Sequence, residues 1–150
     1  MTLTRTLTLL FAGLSVVIAS AAHAADGHDH GKEKSHFEVI APASVKDAWT
    51  LMTAKLAEAD AANSSGNLAA VHEASEQMEA AIHTLQEKSD MVAADAKTKL
   101  ASALKQLDKA VDEVHHGSEE KDGEAATAGL GKIKGLLPLV ERLYPAGALK

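Results

Sequence analysis

From Val45 onward, apolar residues recur every three or four positions. Val45, Trp49, Met52, Leu56 and Ala59 form a first series, and Leu68, Val71, Ser75, Met78, Ile82 and Leu85 resume it after the polar break "NSSGN" at 63–67. Leu100, Leu104, Leu107, Val111 and Val114 make a third series, and Ala126, Leu130, Ile133, Leu137, Val140 and Tyr144 a fourth. This is the period of a helix with one buried face. Four helices of roughly 20 to 25 residues, each about 30 to 38 Å long, joined by short connections, predict an all-α, antiparallel up-down-up-down four-helix bundle. Pro42 suits the first turn of the first helix, Asn67 the cap of the second, and Ser89 or Asp90 the cap of the third. "HHGSEEKDGE" at 115–124 supplies a glycine stop and a polar link before the fourth. Pro138 interrupts the fourth series and predicts a kink there.

The first 41 residues do not follow this period. Arg5 precedes the uncharged apolar run "LTLLFAGLSVVIAS" and the small-residue sequence "AAHA" at 21–24, which reads as a cleavable secretory signal peptide. The run is shorter than the roughly 20 residues of a membrane span. The expected organisation is a signal peptide over 1–24, a flexible His/Asp-rich tail over 25–41, the bundle over 42–145 and a short C-terminal tail over 146–150. Export from a Gram-negative cell would place the protein in the periplasm.

Composition narrows the chemistry. The chain has no cysteine, which removes disulfides, thiolate zinc sites, a lipoprotein anchor and CxxCH haem attachment. The formal charge of −6 becomes about −7 when Arg5 leaves with the signal peptide, a poor match to nucleic acid and a better one to cations and basic partners.

Two regions concentrate metal-binding side chains. In the tail, His28, His30 and His36 stand among Asp26, Asp29 and Glu33 with almost nothing apolar to bury. Imidazole and carboxylate donors suit Zn, Cu(II), Ni and Co. Cleavage after Ala25 instead of Ala24 would also expose "DGH", whose amine, amides and His28 imidazole can surround Cu(II) or Ni(II) in a square plane.

Within the bundle, His72, Glu76, Glu79 and His83 lie along one stripe of the second helix at spacings of four, three and four. That spacing pairs His72 with Glu76 and Glu79 with His83. The two histidines are 11 residues apart, about 16 Å along the axis, so they cannot hold the same ion. His115 and His116, with Asp108 and Asp112 upstream, end the third helix at the same pole as His72, where histidines also favourably meet the helix dipole. A site joining His72 to His115 has a gap of several ångströms to bridge. The tail leaves the bundle at the other pole, nearest His83, where His30 or His36 can complete a site with Glu79 and His83.

The exported leader, the His/Asp tail, "AVHEASEQMEAAIHTL" at 70–85 and "KGLLPLVERLYPAGALK" at 134–150 together resemble small periplasmic helical-bundle proteins that accompany bacterial heavy-metal efflux systems. The resemblance implies a role in metal resistance or homeostasis, with an efflux component as partner. The bundle also resembles the cytochrome b562 architecture, which places haem between a helix-one methionine and a helix-four histidine. Met52 has no histidine in the fourth helix to oppose it, so haem is not expected. Nor is an enzyme, since the chain has no nucleophile elbow, phosphate loop or HExxH motif. The expectation is a metal-binding accessory protein, against the alternative of a metal-independent bundle docking on an envelope partner.

Overall fold

The structure is a computed structural model and describes residues 39–150. The signal peptide and the tail residues His28, Asp29, His30 and His36 lie outside the described residues. Four helices follow in order: α1 over Val45–Ser64, α2 over Leu68–Glu87, α3 over Ala94–Glu119 and α4 over Gly123–Leu143. They pack as an antiparallel four-helix bundle in which α1 lies against α2 and α4, and α3 against α2 and α4. Among the described residues, no helix is long and apolar enough to cross a membrane.

The apolar series fill the core. Val45, Trp49, Met52, Leu56 and Ala59 of α1 are buried, with their counterparts Val71, Met78, Ile82 and Leu85 of α2. Leu100, Leu104, Leu107, Val111 and Val114 of α3 meet Ala126, Leu130, Ile133, Leu137 and Val140 of α4. Tyr144 closes the core beyond α4 and donates its hydroxyl proton to the Leu85 carbonyl at 2.8 Å, one of the four carbonyls that the end of α2 leaves without a helical partner. Leu149 is buried as well, so the chain end returns to the core.

The two poles of the bundle are built differently. At the pole where α1 meets α2 and α3 meets α4, both links are three residues long and both close with the same paired turn. The Asn67 amide donates to the Ala62 carbonyl and the Gly66 amide to Asn63, while the Asp122 amide donates to Gly117 and the Lys121 amide to Ser118. Gly66 and Lys121 take the left-handed conformation that this turn requires. Asn67 then caps α2, as its sequence position suggests, and Asp122 caps α4 through the Glu124 and Ala125 amides. Asn63 joins the two turns, donating to the Gly123 carbonyl and the Thr127 hydroxyl.

At the opposite pole the caps depart from expectation. α1 starts at Val45, capped by Ser44, with Pro42 before the helix instead of in its first turn. Ser44 wins because its oxygen accepts the Asp47 amide proton, satisfying a donor that proline cannot. α3 starts at Ala94 with no side-chain cap, since Ser89 and Asp90 fall in the preceding link, where the Ser89 carbonyl accepts from the Val92 amide. Gly117 does not stop α3; it lies inside the last turn, where an added Cβ would sit 2.7 Å from the Ala126 backbone nitrogen. Its missing side chain lets the ends of α3 and α4 touch. Gly129 does the same one level down, against Val114. Pro138 lies inside α4, which continues to Leu143.

Candidate metal centre

The short-linked pole gathers histidine and carboxylate groups from α2 and α3. Antiparallel packing sets the start of α2 beside the end of α3, and the His72 and His115 rings face each other with centroids 4.4 Å apart at an interplanar angle of 53°. The gap between these two histidines is therefore one that a single ion can span. Both rings sit between their helices, and both side chains are only 12% exposed.

Each ring is paired with a carboxylate one turn along its own helix. His72 Nε2 lies 3.5 Å from Glu76 Oε1, and His115 Nε2 lies 3.4 Å from Glu119 Oε1. Glu76 is itself buried, at 5% exposure, and a carboxylate held out of water requires a cation or proton donor opposite it. His115 Nδ1 faces Glu79 Oε1 at 3.6 Å, so Glu79 turns toward α3 instead of pairing with His83. His83 is exposed, three turns farther along α2. His116 is 69% exposed and approaches the second oxygen of Glu119 at 3.6 Å.

Donor atoms from His72, His115 and Glu119 all lie within 4.8 Å of one another. Contraction of a few tenths to an ångström or so per ligand would bring such a set to the 2.0–2.2 Å bonds of a zinc-type ion. Glu76 lies beside His72 Nε2, next to this group of three. The site opens to solvent through Glu119, the exposed member of the set. It is unlike the shallow groove between α3 and α4, lined by Gln106, Lys109, Glu113, Lys132 and Leu136, where Lys132 already pairs with Glu113.

No family model, curated protein or solved structure matches this chain. The site stands on its own geometry.

His72 and Glu79, four and three residues either side of Glu76 on α2, both approach the α3 groups, while Glu119 lies outside the stripe that the spacing predicts. A signal for it is present. The chain spells H-x-x-S-E twice, as "HEASE" at 72–76 and "HHGSE" at 115–119, so the pairing of His72 with Glu76 repeats as His115 with Glu119. Placement of the tail ligands lies outside the described residues. The chain does approach α1 at the His83 end, where the Thr84 hydroxyl lies 3.4 Å from the Pro42 carbonyl.

Proposed function

We propose that this chain is an exported transition-metal-binding accessory protein that buffers or hands over Zn, Cu, Ni or Co in metal resistance or homeostasis. The observation that carries the reading is the convergence of His72, His115 and Glu119, from two helices, on a space small enough for one ion. Two imidazoles with carboxylates are a donor set for borderline divalent ions, with no soft sulfur to favour Cu(I). A half-buried position on a bundle fixed by two hydrogen-bonded turns gives the ligands little freedom to lose on binding. Partial opening toward solvent suits capture and release better than permanent structural retention. The acidic tail residues and His28, His30 and His36 add a second, weaker place for the same ions.

Calorimetric titration with Zn(II) tests this reading on three forms of the chain. The unaltered protein is expected to bind one ion more tightly than any others. His72→Ala and His115→Ala should each weaken that event by tenfold or more, while replacing His28, His30 and His36 together with alanine should leave it in place. Loss of the tight event in the tail variant, with full retention in both helix variants, would move the site to the tail.

A further inference from the structure

The two copies of H-x-x-S-E do more than repeat a His–Glu pair. Their serines are exchanged between helices: Ser75 Oγ of α2 lies 3.5 Å from Nδ1 of His115, and Ser118 Oγ of α3 lies 3.5 Å from Nδ1 of His72. The arrangement is reciprocal, as across a local two-fold axis. The hydroxyl protons are already placed. Ser75 Oγ donates to the His72 carbonyl at 2.7 Å, and Ser118 Oγ donates to the His115 carbonyl at 2.6 Å. A carbonyl only accepts, so each hydroxyl has spent its single proton on its own helix and offers the opposing imidazole lone pairs alone. Both serines are buried, which makes an unmatched pair of acceptors costly.

From this we propose that Ser75 and Ser118 are crossed positioning residues, each accepting the Nδ1–H of the other helix's histidine once an ion replaces the proton between Nε2 and its carboxylate. The proposal rests on the metal-binding reading above and specifies how the loaded site is oriented. Nε2 is the atom that faces Glu76 in one ring and Glu119 in the other, so the nitrogen left free of the serine is the one beside the carboxylate ligands. On His115, Glu79 Oε1 also stands 3.6 Å from Nδ1, a second acceptor on the same side of the ring. A carboxylate or hydroxyl behind a ligating imidazole orients the ring and raises its basicity. The 3.5 Å contacts are long, as hydrogen bonds in unloaded sites commonly are, and loading should tighten them. The clamp thus consists of three inner groups, His72, His115 and Glu119, with Glu76 beside His72, and three outer ones, Ser75, Ser118 and Glu79.

Nitrogen-15 NMR of the imidazole rings tests this in the Zn(II)-loaded protein. His72 and His115 should both carry the proton on Nδ1 and hold the ion through Nε2, whereas exposed His83 sets the reference. An Nε2–H form at either His72 or His115 would overturn the proposal. Ser118→Ala should shift His72 toward the reference mixture and weaken Zn(II) binding about tenfold to a hundredfold, while Ser118→Thr, which keeps the acceptor, should restore both. A His72 spectrum unchanged in Ser118→Ala would also overturn it. The metal reading fails separately: absence of any Zn(II) binding would remove it and the brace together, whereas Zn(II) held with an Nε2–H form on either ring would remove the brace alone.

Discussion

Tyr144 shows how one side chain couples titration to stability. Burial pushes its hydroxyl up to about 12 from the ordinary 10.0, and its proton is held by the Leu85 carbonyl at the end of α2. The folded chain therefore keeps a proton that the unfolded chain releases between those two values. Stability from this group is fully present below pH 10 and is lost as pH rises toward 12. Tyr144→Phe should lower stability by about 1 kcal/mol near neutral pH through the lost hydrogen bond. The difference between the two proteins should shrink above pH 10, as read by urea midpoints across an alkaline series. Glu119 illustrates the opposite kind of residue. A carboxylate in the last turn of α3 opposes the helix dipole, and the His115 and His116 rings around it supply the compensating contacts. Its position is poor for the helix and good for a cation.

Among the elements, the ends of α3 and α4 depend on close approach. A Cβ at Gly117 would meet the Ala126 backbone nitrogen at 2.7 Å, and one at Gly129 would meet a Val114 methyl at 2.7 Å and the Ala110 carbonyl at 3.1 Å. Gly129→Ala should destabilise by about 1–3 kcal/mol through overpacking. Gly131, two residues on, has open space around it, and Gly131→Ala should stabilise by up to about 1 kcal/mol because alanine is the better helix former. Thermal melts of the two variants, moving in opposite directions, check both. Lys121 holds the left-handed position of the α3–α4 turn, where a side chain is disfavoured, so Lys121→Gly should raise the melting temperature.

The elements also show where reading the sequence succeeds and stops. The spacing of Val45 to Ala59 or Leu100 to Val114 reports a buried stripe directly, because helical periodicity is local. Asn67 is readable as a cap for the same reason. The absence of a cap before Ala94 and the inclusion of Gly117 within α3 are not, since both are decided by what packs against them. The candidate site follows this division. His72, Glu76 and Glu79 are legible as one stripe of α2, but the register that lays Ser118 on His72 and Ser75 on His115 belongs to the packing of two helices. Only the repetition of H-x-x-S-E hints at it from the chain alone.

For the whole molecule, the core of four interlocking apolar stripes forms without the candidate ligands, so the fold should not require metal. Chelator-treated protein should retain strong helical circular dichroism and one sharp thermal transition. Added Zn(II) should raise that transition with the logarithm of its free concentration above the dissociation constant, by about 2.7 kcal/mol of stability at a hundred times that constant. The gain should fade as the solution is acidified, because protons and metal compete for the same nitrogens. The most direct test of the α2–α3 site is a crystal of the Zn(II)-loaded protein measured at the zinc absorption edge. An anomalous peak between α2 and α3, about 2.0–2.2 Å from a nitrogen of both His72 and His115 and from a Glu119 oxygen, is the expected result; an empty groove there, with zinc found only at His83 or at the tail histidines, would contradict it.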